Sequence, residues 1–593
     1  MRALSNGLIY LRWFACLGSI IVFLLISLPG TSVAAQNSGR IALVMKALSN
    51  PFFSAMEQGA KEYAQNNGIT LDIFGVERET DVDHQIAIME NLIAQNYGAI
   101  VLAPADSKRL IPVCKKALEN GIIVINIDNP LHQPTLKAQN LSIPFVGSDN
   151  RIGAGMVGKY IRTKLNQKGR AFIIEGIRGV ENAELRRQGF LEQLTKDSMI
   201  EVVASESANW HTDEAFSLTS KLLELHGKVD AILCANDKMA LGVLQALELQ
   251  GLAGQVLIGS YDNIEAVRAE MRNNRIHATI EQHPELMGEY GVNLAHRGLR
   301  GKKIPEISAV PLDLVTHESF QLALGLSISS LKNPFFKILL DGAKSSAEVL
   351  GVTLLVADAD NRDDKQLSDI FDFIEKEVSA IIINPTSTDM IVPGIELANS
   401  KNIPVFAVDR KVSGGQVISL VASDNLAGGE LAAQILAKHL GRKGRVVELE
   451  GIPGASATVD RGTGFNNAMQ AYPGIQVVTR ESAQFEREQA KKIITQILNN
   501  HIEFDAVFAH NDNMILGTLD ALAERGSTKK ILVGFDGIPE AIDAVNKQQI
   551  TATIAQVPQK MGRIVVGKAV AYLRGESIPE IVPVNLEAIE RED

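Results

Sequence analysis

The sequence of 593 residues predicts an α/β protein in which one folding unit occurs twice in tandem. Three observations carry the prediction. The first is internal repetition. Ser49-Asn50-Pro51-Phe52-Phe53 returns as Lys332-Asn333-Pro334-Phe335-Phe336, Ile127-Asp128 as Val408-Asp409, and Ala235-Asn236-Asp237 as His510-Asn511-Asp512. Tyr261-Asp262 returns as Phe535-Asp536, and Thr279-Ile280-Glu281-Gln282 as Thr553-Ile554-Ala555-Gln556. Asn50 and Asn333 stand 283 positions apart, and Asp262 and Asp536 stand 274 apart. A spacing that drifts so little means duplication of a whole domain, because solenoid repeats are only about 20–50 residues long. The second observation is that short, β-branched apolar runs alternate with amphipathic segments, which implies parallel sheets covered by helices on both faces. The third is helix punctuation. Pro51 to Asn67 is followed by Gly68 and Pro334 to Leu350 by Gly351, with proline in the first turn and glycine just past the end.

In order along copy one, strands are predicted over Ile41–Met45, Ala99–Ala103, Ile122–Asp128, Ala171–Glu175, Ala231–Asn236 and Val256–Asp262. In copy two they fall over Leu322–Ser327, Thr353–Ala357, Ala380–Pro385, Val405–Asp409, Arg445–Leu449, Ala506–Asn511 and Ile531–Asp536. Copy one is expected to run from Ser38 to Val315 and copy two from Gln321 to Asp593, joined by the short segment Thr316–Phe320, which limits relative motion. The largest insertion in copy one lies between Asp128 and Asp149, holds Pro130, Pro134 and Pro144, and is expected to be a surface loop.

Residues 1–35 have the layout of a secretory signal peptide. Arg12 precedes an apolar run from Trp13 to Pro29, and Ser32-Val33-Ala34-Ala35 follows, with cleavage expected after Ala34 or Ala35. The rival is an uncleaved anchor, for which the run is slightly short, since a span takes about 20 residues. Either way the rest of the chain is extracytoplasmic. The net charge of −11 argues against binding the nucleic-acid backbone. Of three cysteines, Cys16 lies in the signal segment, and Cys114 and Cys234 are expected to be buried free thiols.

The polar residues are informative by position. Asp128, Asn236 and Asp262 each terminate an apolar run, and so do Asp409, Asn511 and Asp536. Ligands of open α/β sheets bind outside the carboxyl ends of the strands, so such a set suits a polyhydroxy ligand. Each of these residues taken singly is equally suited to cap the following helix. The two phenylalanines after each Asn-Pro can serve the core or offer a flat face to a sugar ring.

On these motifs, with Asp-Arg, Arg-Gly-x-Gly-Phe, Phe-Ala-x-Asn-Asp and Gly-Phe-Asp-Gly in copy two, each copy resembles a periplasmic sugar-binding protein of the ribose-binding type, end to end. The resemblance implies a type I periplasmic-binding-protein fold. Each copy would have two α/β lobes joined by crossovers near Ser148–Asn150 and Gln282, and near Ser423–Asn425 and Gln556, with the sugar between the lobes. It also implies a ligand set in copy two of Asn333, Phe335, Phe336, Asp409, Arg410, Arg461, Phe485, Asn511, Asp536 and Gln556. In copy one the set becomes Asn50, Phe52, Phe53, Asp128, Asn129, Arg186, Trp210, Asn236, Asp262 and Gln282. Asn129 and Trp210 replace Arg410 and Phe485. Arg186 is placed by its distance to Phe190, which equals that of Arg461 to Phe465, with Arg187 as the alternative. Loss of an arginine fork and gain of an indole predict a different specificity in copy one, such as another pentose, a hexose or a sugar alcohol.

The expected ligand is a monosaccharide, ribose or a similar pentose, and the expected protein partner is the membrane permease of an ABC importer. A chemoreceptor or sensor kinase is the alternative partner. Neither a cofactor nor catalysis is expected. Gly153 to Tyr160 nearly matches a phosphate-binding loop, but Tyr160 holds the Ser/Thr position and the pattern reads as a packed helix. HExxH, paired CxxC and GxSxG motifs are absent, and the eleven histidines lack metal-ligand spacing. A repressor built on the same sugar-binding fold would need a helix-turn-helix where the apolar run lies.

Overall fold

The computed structural model describes residues 39–526 and 530–590. The signal segment predicted over residues 1–35 lies outside the described residues. Among the described residues, no helix is long and apolar enough to cross a membrane.

Each copy consists of two lobes, and each lobe is built on a six-stranded sheet. The first sheet of copy one runs Ile307–Ala309, Phe145–Gly147, Ile123–Ile127, Ala99–Leu102, Ile41–Ala47, Leu71–Val76. The second runs Asp313–Thr316, Ala278–Glu281, Leu257–Gly259, Ala231–Cys234, Lys168–Glu175, Met199–Ser207. In copy two the first order is Thr353–Asp358, Ala323–Ile328, Ala380–Ile383, Val405–Val408, Val417–Ser423, Ile581–Val584. The second is Ile475–Ser482, Gly444–Glu450, Ala506–Ala509, Ile531–Asp536, Ala552–Ala555, Glu587–Glu590. Pairing is parallel except at the last crossover strand of each second lobe, where Asp313–Thr316 and Glu587–Glu590 run antiparallel to their neighbours. The central strands Ile41–Ala47, Ala99–Leu102, Ala231–Cys234, Ala380–Ile383 and Ala506–Ala509 are buried at every residue, as strands covered on both faces must be.

The chain crosses between lobes three times per copy, not twice. In copy one the crossings fall at residues 147–150, 281–284 and 309–313, and in copy two at 423–425, 555–558 and 584–587. The third was missed because its strands are short and exposed: Ile307–Ala309 carries no buried residue. The second crossing forces a residue into the left-handed region, His283 at φ 52° and Val557 at φ 55°.

Two further expectations are corrected. The segment between Asp128 and Asp149 is not simply a surface loop. It carries the helix Gln133–Ala138 and buries Leu131, Leu136 and Ile143 in the first-lobe core, so its prolines punctuate a packed element. Strands also form at Leu71–Val76, Met199–Ser207 and Ile475–Ser482, half-buried sheet edges that are not among the strands predicted from sequence.

The phosphate-loop look-alike lies in the helix Asn150–Lys164, where its glycines serve close packing. A β-carbon on Gly153 would fall 2.3 Å from the Tyr261 hydroxyl, and one on Gly158 3.1 Å from the Phe190 carbonyl. Cys114 and Cys234 are free and buried.

The join is pinned to its surroundings. His317–Gln321 forms a 3-10 turn capped by Thr316 and Ser319. The Tyr160 hydroxyl donates to Glu318 at 2.9 Å, and Phe320 packs between the Arg272 guanidinium at 5.2 Å and Gly351. Beyond the join, Asn263 donates to the Val349 carbonyl at 2.8 Å, and Arg563 pairs with Glu285 at 3.0 Å. One continuous apolar core runs from the second lobe of copy one into copy two.

Candidate functional site

The strand ends of the two lobes face each other across a cleft in each copy. In copy two all ten predicted residues line one cavity, together with Ala457. Asn333, Phe335 and Phe336 come from the start of the helix Pro334–Leu350, and Asp409 and Arg410 from the end of a strand. The second lobe supplies Arg461, Phe485, Asn511 and Asp536, and the crossing supplies Gln556.

The local backbone explains how these side chains are held. Capping and cleft-lining prove compatible. Asn511 Oδ1 accepts from Met514 N at 3.0 Å, which leaves Nδ2 to donate to Phe485 O at 3.2 Å. Asn333 likewise caps through Oδ1, accepting from Phe335 N. Asp409, Phe485 and Asp536 sit at φ 68°, 62° and 118°, and Asp128, Trp210 and Asp262 of copy one at 62°, 70° and 112°. Such conformations are uncommon outside glycine and mark places where surrounding structure over-determines the backbone. The aromatic ring in each cleft rests on a glycine. A β-carbon on Gly451 would lie 2.0 Å from the Phe485 ring, and one on Gly176 2.2 Å from Trp210.

The buried charges of copy two are mutually braced. Arg461 donates through Nε to Asn425 at 2.8 Å and through Nη1 to the His510 carbonyl, approaches Asp536 at 3.4 Å, and stacks 3.8 Å from the Phe535 centroid. Gln556 Nε2 donates to Asp536 at 2.7 Å. Arg410 donates to Pro385 O at 2.9 Å and lies between Phe336 and Phe485, at 5.2 and 5.6 Å. Burial pushes the Asp536 carboxyl up to about 7 against the pull of Arg461, and raises Asp409 against Arg410 and Arg461. Arg410 Nε and Gln556 Oε1 are buried without hydrogen-bond partners among the described residues, so each keeps unused bonding capacity beside the cavity.

Copy one repeats this frame. Arg186 donates to Asn150 at 2.8 Å and Ala235 O at 2.8 Å, approaches Asp262 at 3.3 Å, and stacks 3.9 Å from the Tyr261 centroid. These contacts settle Arg186 over Arg187, which pairs with Glu184 on its own helix. Its cavity is lined by eight of the ten predicted residues. The other two are corrections. Asn129 turns to Pro104 O at 2.9 Å, and its Oδ1 accepts from Ser107 and from Asn182 N, so it braces one lobe against the other. Gln282 is spent on Asp262 and Arg186.

Three lining residues escaped the sequence reading: Lys46, Glu79 and Asn182. Lys46 Nζ pairs with Asp128 at 3.0 Å and lies 3.9 Å from Glu79. The cation missing at position 129 is thus restored from another strand. A signal existed, because Lys46 is the one charged residue of the strand Ile41–Ala47 and copy two has Ser329 there.

Both clefts are closed. Ser107 and Asn129 accept from the backbone of Glu181 and Asn182, and Lys411 reaches Ser456 and Asp460 across the copy-two cleft. Among the described residues, the group of histidine and carboxylates close enough to hold a cation is Glu281, His283 and Glu285, at a lobe crossing. Burial pulls the His283 imidazole down, but Asp313 at 2.8 Å, with Glu285 and Glu281, holds it up at about 10. It is therefore a cation itself and closes an ion-pair network.

Two hinged lobes closing on a polar, aromatic-walled cavity define a ligand-binding protein. The chain matches the periplasmic binding protein domain over residues 41–303 and again over 324–577, and it belongs to that family. It is 42% identical over 270 residues to the ribose import binding protein RbsB of Bacillus subtilis, covering 45% of this chain and 87% of that protein. It is 39% identical over 298 residues to a D-ribose/D-allose-binding protein of Pseudomonas aeruginosa, covering 49% of this chain and 93% of that one. A solved periplasmic solute-binding protein of an ABC transporter from Actinobacillus succinogenes, with bound D-allose, is 35% identical over 47% of this chain and 98% of its own, with a TM-score of 0.46. The two curated relatives are binding proteins, and the chain groups with them rather than with enzymes.

Proposed function

We propose that this protein is the substrate-binding component of a sugar ABC importer and carries two sugar sites. The second takes ribose or a similar pentose, and the first takes a related sugar or polyol. The observation that carries the reading is that all ten ribose-type positions of copy two line one closed cavity, two carboxylates and two guanidiniums among them. Charge-assisted bonds of this kind are roughly twice as strong as neutral ones. Copy one swaps Arg410 for Lys46 on another strand and adds Glu79, which favours a different hydroxyl pattern. On this reading residues 1–35 direct export, 38–315 and 321–593 are the two sugar-binding domains, and the closed form is presented to a membrane permease.

Isothermal calorimetry on the full chain tests it. D-ribose should fill one site per chain, and Arg461→Ala should weaken that site by about 3 kcal/mol, since buried acceptors lose a charged donor. Ribose affinity unchanged by Arg461→Ala would reject the site assignment. Equal ribose affinity in both copies would reject the difference between them.

A further inference from the structure

The two clefts differ most at their mouths. In copy one the inner cavity adjoins an outer chamber of about 210 Å³, and Trp210 and Glu79 line both spaces. The corresponding chamber in copy two holds about 30 Å³. The two are matched by position: Ala47 with Ser330 and Ser49 with Lys332, each 283 apart, and Trp210 with Phe485, His211 with Glu486 and Lys238 with Asn513, each 275 apart.

Two substitutions account for the difference. Lys332 extends to Asp360 at 2.7 Å beside the copy-two mouth, whereas copy one has the short Ser49. Gln85 and Gln366 make the same bonds in their lobes, to Ala103 O and Ala105 N and to Asn384 O and Thr386 N, and stand 281 apart. That register puts Glu79 at the position of Asp360. Farther out, Arg487 forks onto Asp520 at 2.7 and 3.1 Å and reaches Glu540 at 2.8 Å. Copy one has Thr212 and Gln245 at the matching positions, and an open groove continues there past Phe216.

We propose that copy one takes a glycoside: a sugar ring in the inner cavity, linked to a second polar ring in the outer chamber. The chamber's chemistry suits such a unit. Glu77, Glu79, Asp213 and Glu214 offer acceptors, Arg78 and Lys238 offer donors, and Trp210 with His211 offers ring surface. Copy two, with Lys332 lining its smaller chamber, is restricted to the single ring. The inference rests on the sugar-binding reading of copy one and goes further by naming the class of ligand.

The test uses the full chain with copy two silenced by Arg461→Ala, or by Phe485→Ala if the first variant does not fold. Thermal shift is measured against D-ribose, D-allose, D-galactose and D-glucose, against the disaccharides lactose, melibiose, maltose and cellobiose, and against the nucleosides adenosine and uridine. At least one glycoside should raise the melting temperature, and the disaccharide and nucleoside arms identify its second unit. Ser49→Lys, which places the copy-two lysine in the outer chamber, should weaken that glycoside by about tenfold or more while changing its parent monosaccharide by less than about twofold, as calorimetry resolves. The proposal is overturned if a monosaccharide binds copy one and none of its glycosides does, or if Ser49→Lys weakens both alike. If neither monosaccharides nor glycosides bind, the sugar-binding reading of copy one itself fails.

Discussion

Lys46 shows how a pocket can keep its charge while changing its geometry. Its ammonium and the Asp128 carboxylate are both almost wholly buried, so each depends on the other. Replacing Lys46 with methionine fills the space but strands Asp128, and breaking such a pair costs about 3–5 kcal/mol. Differential scanning calorimetry of Lys46→Met should show copy one melting earlier, and an undiminished transition would mean that the buried pair adds nothing to stability. Residue types at the strand ends were legible from the repeat, and the family resemblance implied every lining residue of copy two except Ala457. Asn129 was misread because position alone cannot say which way a side chain turns. Here Ser107 and Asn182 claim it.

At the scale of elements, the crossings carry the mechanism. A left-handed backbone costs non-glycine residues roughly 1–2 kcal/mol, and Val557 accepts that cost at φ 55° while 43% exposed. Val557→Asn keeps the conformation with a residue that tolerates it and should stabilise copy two by about 1 kcal/mol in urea titration. No gain would mean that the crossing is not strained in solution. Central strands were legible because burial on both faces leaves an uninterrupted apolar run. The exposed third crossing offers no such run, and pairing with a distant strand decides it.

At the scale of the whole molecule, the copies are fused through packing as well as sequence. The shared core, the pinned turn His317–Gln321 and the Glu285–Arg563 bridge tie copy one to the first lobe of copy two. Ligand stabilises whatever unfolds with its site. Saturating copy two with D-ribose should therefore raise the unfolding temperature of copy one as well. Two transitions of which only one moves would show the copies to be thermodynamically independent.

The sequence by itself determined the duplication, the α/β class and the identity of the polar set, because each is a matter of residue type and order. Only the tertiary structure decided which side chains reach the ligand space, that Lys46 replaces the missing arginine, that the chain crosses three times, and that one cleft has a wide mouth and the other a narrow one. Those depend on residues far apart in the chain meeting at fixed distances, and periodicity along the chain carries no record of that.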